Sequence, residues 1–191
     1  MNPEIFKQVN RILGPLETDL FAERMNAQTN KFISWKPDPL AVGTDAFTVN
    51  WLGLNAYAFP PFCLIPRVLG KIRKESSEIV LIAPAWHTKA FYPMLLELTI
   101  EHPVLLPPQK DLLLSPQGHY HPLVLNNSLR LVAWKISGRP DKCKAFLRKL
   151  PSYGSLHGEQ VRSQLTTAAG ENGLAGVVCN KLIHFNPLWK I

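Results

Sequence analysis

Cysteine is scarce in this chain: three copies in 191 residues, Cys63, Cys143 and Cys179, with no Cys-x-x-Cys pair. That argues against a disulfide framework or a cysteine zinc site and makes an intracellular, reducing compartment, cytoplasmic or nuclear, the expectation. Long apolar runs are also missing, because proline, present 17 times, interrupts the longest of them. No membrane span and no membrane partner are therefore expected. The opening residues Met1 to Phe6 lack a basic stretch followed by an apolar one, so no secretory signal is expected. What is present is a globular composition: hydrophobic residues make up 46%, and the mean hydropathy is -0.01. A chain of this length buries one full core. No internal repeat is visible.

Acidic residues are scarce in the last third. Residues 1–129 carry 11 Lys or Arg against 11 Asp or Glu, whereas residues 130–191 carry 10 against 3, which is the whole net charge of +7. Phosphate neutralisation by Lys and Arg supplies sequence-independent affinity for nucleic acid. Arg139, Lys142, Lys144, Arg148 and Lys149 are the candidate contacts to DNA or RNA. A solvated basic linker is the alternative.

Local signals place the elements. Asn2-Pro3 is a cap followed by a first-turn proline, and apolar residues recur at helical spacing up to Gly14-Pro15, predicting a helix over about 3–13. Short strands are expected at 17–21, 31–35 and 56–59, and 45–51 is ambiguous. Residues 64–74 read as a helix with one apolar face. The unbroken apolar run 78–84 reads as a strand covered on both sides. A helix over 89–98 and strands near 104–106 and 130–134 follow. The alternation predicts an α/β layer fold with a mostly parallel sheet. After Ser137-Gly138, residues 141–150 read as a basic amphipathic helix and 151–180 as a polar, flexible linker. The expected organisation is thus a domain over 3–138 and a basic, partly flexible connector over 139–191.

In open α/β sheets, ligands sit beyond the carboxyl ends of strands. Three predicted strand ends carry distinctive residues: Asp19, with Leu20-Phe21-Ala22 after it, Phe59-Pro60-Pro61-Phe62 and Ala83-Pro84-Ala85-Trp86-His87. An acid at the first suits the polar part of a cofactor. A rigid Pro-Pro turn followed by an aromatic suits a base. Each motif alone also reads as a capped turn.

These words, with Pro3-Glu4-Ile5-Phe6 and Asn26, resemble the phage-type, Dam-like adenine DNA methyltransferases. With Trp35-Lys36-Pro37-Asp38-Pro39, Asp45-Ala46-Phe47, Trp51, Tyr57–Leu69, Leu81–Trp86 and Leu131–Trp134, the chain resembles more closely the methyltransferase-like segment of DIRS-type tyrosine-recombinase retrotransposon polyproteins. The resemblance covers about residues 3–138. It implies a Rossmann-like methyltransferase fold and an S-adenosylmethionine pocket lined by Asp19, Leu20, Phe21 and Ala22, with Phe6 packed near it. It implies a catalytic loop at Phe59, Pro60, Pro61 and Phe62, in which Phe62 stacks on an extruded adenine. Its implied partners are nucleic acid and the rest of the polyprotein.

The departure is Phe59. Active members of that family carry Asp or Asn before Pro-Pro, a side chain that accepts a hydrogen bond from the target amine. Phenylalanine has no acceptor, and losing one such group typically costs about 10²–10³ in rate. The glycine-rich loop usual after the first strand is missing too; Glu23-Arg24-Met25 stands there. The expectation is a degenerate methyltransferase-like domain that binds nucleic acid. An active adenine methyltransferase, a metal-dependent nuclease using Asp19, Asp38, Asp45 and Asp111, and a structural spacer are the alternatives. No recombinase signature is found. His119 and His121 form a two-imidazole pair without a third ligand nearby. Trp35, Trp51 and Trp86 read as base-stacking platforms or as core.

Overall fold

The computed structural model describes residues 1–114, 118–125, 129–152 and 175–190. Helix α1 spans Pro3–Leu13. Its start is set by the Asn2 side chain, which accepts the Glu4 N–H at 2.9 Å, and by proline in the first turn. Strand β1 (Thr18–Asp19) is followed by β2 (Lys31–Ser34), β3 (Gly43–Thr44) and β4 (Ala56–Ala58). A 3₁₀ turn over Phe62–Leu64 leads into α2 (Ile65–Glu75), and β5 (Glu78–Pro84) follows. Then come α3 (Tyr92–Glu97), β6 (Val104–Leu105), α4 (Pro122–Leu125), β7 (Leu131–Ser137) and α5 (Pro140–Lys149). The last elements are the hairpin β8 (Ala175–Val178) and β9 (Lys181–His184), and β10 (Asn186–Pro187).

Eight strands form one sheet in the order β10-β6-β7-β5-β4-β1-β2-β3. The half running β3-β2-β1-β4-β5 is parallel throughout. β7 is antiparallel to both β5 and β6, and β10 is parallel to β6. The result is a Rossmann-like α/β sheet flanked by helices.

β5 explains why the sheet is covered on both faces. Its side chains alternate: Ile79, Leu81 and Ala83 join one apolar cluster, with Val68, Leu69 and Ile72 of α2, Leu95 of α3 and Phe146 of α5. Val80 and Ile82 join the other, with Ile5, Phe6, Val9 and Leu13 of α1. Each fully buried side chain of this size contributes about 1.5–3 kcal/mol.

Three expectations need correction. The strand placed at 130–134 continues to Ser137, because its whole length pairs with β5, Glu78 opposite Ser137 and Pro84 opposite Leu131. The helix placed at 89–98 begins only at Tyr92; Lys89 to Phe91 form a bend and a turn, and Pro93 sits in the first turn of the helix, where its missing N–H leaves no intrahelical bond unmade. The boundary drawn after 138 divides one core. Cys143, Phe146 and Leu150 are buried, β10 extends the main sheet, and Ile183 and Phe185 lie in the same cluster as Trp134. The described parts of 139–191 are therefore built into the domain and are not a connector. Residues 153–174, the body of the expected flexible linker, lie outside the described residues. Among the described residues, no helix is long and apolar enough to cross a membrane.

Candidate functional site

β1 sits between β2 and β4, and the strand order reverses there: the chain builds outward through β2 and β3, then returns to add β4 and β5 on the other side. Such a switch point opens a crevice at the carboxyl ends of the strands. Backbone hydrogen bonds show the divergence. Leu20 N–H donates to Tyr57 carbonyl oxygen on the β4 side at 2.8 Å, while Ala22 N–H donates to Ile33 carbonyl oxygen on the β2 side at 3.2 Å.

A cleft of about 710 Å³ occupies this position, and Asp19, Phe21, Gln28, Tyr57, Phe59 and Phe62 are among the residues that line it. The sequence places the Asp19 word and the Pro-Pro word 40 residues apart; the sheet brings them to one cavity. Pro3, Pro60 and Pro61 line it as well.

Asp19 is only 2% exposed. Its Oδ1 accepts the Phe21 N–H and its Oδ2 accepts the Gln28 N–H, each at 3.2 Å. The carboxylate therefore ties down both ends of the segment that leaves β1. Burial raises its pKa to about 6, against the lowering effect of those two hydrogen bonds. Between them, the turn over 23–27 closes without glycine: the Asn26 side chain accepts the Glu23 N–H at 2.7 Å, and Asn26 and Ala27 N–H groups donate to the Glu23 carbonyl.

Phe6 does not line the cleft. It packs edge-on against Tyr57, ring centres 5.0 Å apart, and so supports the wall from the α1 side. Leu20 and Ala22 are buried and line a second, adjoining cleft of about 450 Å³, together with Trp35, Phe47 and Arg67. Phe21, Asn26 and Pro61 border both. Sequence reasoning missed Gln28, Phe47 and Arg67 here. Their only signal was proximity to motif residues along the chain.

In the Pro-Pro loop, Pro60 is buried, Pro61 exposed, and Phe59 and Phe62 half-buried. The Phe59 and Phe62 rings lie 6.3 Å apart, and Phe62 meets Trp86 edge-on at 5.1 Å. Phe59 presents a hydrocarbon ring to the cleft ahead of Pro60, and the aromatic surface continues through Phe62 to Trp86 beyond the end of β5.

The five basic candidates are elsewhere. Arg139 and Lys142 line a depression beside Asn55, Ala56, Glu78 and Ile79, at the amino ends of β4 and β5, the opposite edge of the sheet from the cleft. Arg139 pairs with Asp141 at 2.9 Å, and Lys142 pairs with Glu78. Lys144, Arg148 and Lys149 are exposed on α5. The structure does not bring these five to the cleft.

The acidic set imagined for a nuclease is dispersed. Asp38 pairs with Arg24 at 2.9 Å, Asp111 accepts from Asn2 at 2.8 Å, and Asp45 lies in the second cleft. His121 lines the main cleft, and its buried Nδ1 finds no hydrogen-bond partner among the described residues. Among the described residues no three or more His, Cys, Asp or Glu side chains gather to hold a metal ion. Compared with known proteins, the chain matches no family model and no curated protein.

Proposed function

We propose that the cleft between β1 and β4 is an S-adenosylmethionine pocket of a methyltransferase-like domain from a retrotransposon polyprotein, and that the domain binds nucleic acid without transferring methyl groups. The observation that carries this is the convergence of a buried carboxylate, Asp19, and the Phe59–Phe62 loop on one cleft of about 710 Å³ at the sheet's switch point. The strand order supports it at the level of fold analogy: a parallel 3-2-1-4-5 half with an antiparallel seventh strand inserted next to the fifth is the arrangement of S-adenosylmethionine-dependent methyltransferases.

The residues fit the cofactor chemically. Its cationic groups suit a low-dielectric site holding one carboxylate, and its adenosine suits the walls offered by Phe21, Phe59 and Phe62. Asp19 and Gln28 would hold the polar portion, and the aromatic rings the planar one. When bound, the cofactor supplies an electrophilic methyl group. The chain's own part in catalysis is what fails. The Phe59 ring cannot accept a hydrogen bond from an amine, so no side chain of the Pro-Pro loop orients a base nitrogen or offsets the positive charge that develops on it.

Equilibrium retention of labelled S-adenosylmethionine, run beside a DNA methylation assay with the same sample, tests this. Saturable retention with methyl transfer at background is expected. Robust transfer to DNA by the wild-type chain overturns the loss of catalysis, and no retention by a folded sample overturns the pocket.

A further inference from the structure

Of the three tryptophans that read as platforms or core, the structure separates one from the others. Trp51 is fully buried, its Nε1 donating to the Ala46 carbonyl at 2.8 Å. Trp35 is 65% exposed at the end of β2. Its Nε1 donates to a Glu23 carboxylate oxygen, so the indole is held by its edge while its surface stays in solvent. Trp86, half-buried, leaves the end of β5 against Phe62.

Both lie along the cleft edge of the sheet, and surface links them. Trp35 borders the second cleft, whose far wall includes Pro61; Pro61 leads to Phe62, and Phe62 to Trp86. β2 and β5 are three strand spacings apart, so this aromatic rim spans about 14 Å.

Cations accompany the rings. The Lys36 ammonium lies 4.0 Å from the Trp35 ring centre, the Arg67 guanidinium 3.8 Å from Phe47, and the Lys89 ammonium 5.9 Å from Trp86. Among the described residues none of these three makes an ion pair with a carboxylate, whereas Arg139 and Lys142 on the opposite edge both do; Lys144, Arg148 and Lys149 of α5 are unpaired there too, but no aromatic ring lies beneath them as one does beneath Lys36, Arg67 and Lys89. Cations committed to carboxylates have less to gain from phosphate, because the existing partner must be displaced.

Exposed aromatics interleaved with unpaired cations form the surface that single-stranded nucleic acid recognises: bases stack on the rings and phosphates meet the cations. A duplex keeps its bases stacked on one another and offers them poorly to such a rim. We propose that a single strand of nucleic acid lies along the rim from Trp35 to Trp86, across the mouth of the cleft, and that this edge, not α5, is its main contact. The proposal rests on the pocket assignment above only for what the cleft holds.

The test is fluorescence anisotropy of a labelled single-stranded oligonucleotide of mixed sequence, and of its duplex, with the full chain. Wild type should prefer the single strand. Trp35→Ala and Trp86→Ala should each weaken it by about tenfold, with Trp35→Phe retaining most of the affinity. Lys36→Gln combined with Lys89→Gln should weaken binding and flatten its salt dependence, and these exposed changes decide the matter where a tryptophan variant fails to fold. Lys144→Gln with Arg148→Gln should change binding little. Absent single-strand binding, duplex preference, or loss confined to the α5 variants each overturns the proposal. S-adenosylmethionine titrated into the same variants reads the pocket separately, since neither tryptophan lines the larger cleft.

Discussion

Asp19 and Tyr57 are register partners on β1 and β4, the two strands that flank the switch point. Both line the same cleft, and both are almost fully buried. Burial drives the Tyr57 hydroxyl well above its usual pKa, and the Asp19 charge raises it further. Burial of a carboxylate and a phenol side by side disfavours negative charge at this point, and the Met1 amino group, which also lines the cleft, works the other way by favouring the Asp19 carboxylate.

That arrangement sets a pH dependence. The Asp19 pKa is about 6, against about 3.9 in an unfolded chain, so the folded state binds the extra proton between these values. Stability therefore falls as pH rises through that window, by about 3 kcal/mol at most. Asp19→Asn should remove this slope, leaving Tm flatter between about pH 4 and 7 than in wild type. Equal slopes in thermal melts would show that Asp19 is not desolvated as described. A cationic ligand should bind more tightly as pH rises through the same range.

Phe59→Asn restores a hydrogen-bond acceptor ahead of Pro60-Pro61. With the cleft otherwise intact, methyl transfer to adenine-containing DNA should rise above the wild-type background, with a ceiling of about 10²–10³ for one aligned polar group. Tritium transfer from labelled cofactor measures it. Wild-type transfer well above background and equal to that of the variant would show that the acceptor comes from another residue; a variant no more active than an inactive wild type would show that Phe59 is not the missing group.

The C-terminal elements should prove indispensable to folding. Truncation after Gly138 removes Phe146, Leu150, Ile183 and Phe185 from the core, worth roughly 6–12 kcal/mol at about 1.5–3 each. That rivals the whole stability of a typical domain. The truncated chain should lack a cooperative melt by circular dichroism. Gly138→Ala is the milder probe: a Cβ there would stand 2.0 Å from the Ile72 carbonyl oxygen, so a loss of about 1–3 kcal/mol is expected from denaturant titration.

Elements whose signals are local were legible in the sequence. Asn2-Pro3 and Gly14 bracket α1 because caps and breakers act within one turn, and the run Glu78–Pro84 declares a two-sided strand. Elements defined by distant partners were not. β10 is two residues long and exists because Val104 and Leu105 lie alongside it; nothing within Asn186-Pro187 signals a strand. The basic, polar average of residues 139–191 hid the few apolar side chains, Phe146 and Phe185 among them, that fix this segment to the sheet. The cleft was legible as two words at strand ends. Which edge the charged residues occupy was not, because sequence spacing does not say at which end of a sheet a helix begins. Thus Arg139 and Lys142 stood out by composition, while Arg67, which reaches the cleft side, did not.

Calorimetric titration of S-adenosylmethionine into the full chain, with Asp19→Ala alongside, tests the central claim most directly. Saturable binding near neutral pH, lost or strongly weakened in Asp19→Ala while that variant still melts cooperatively, is the predicted result. No heat of binding from a folded wild-type sample, or equal binding by both proteins, would contradict it.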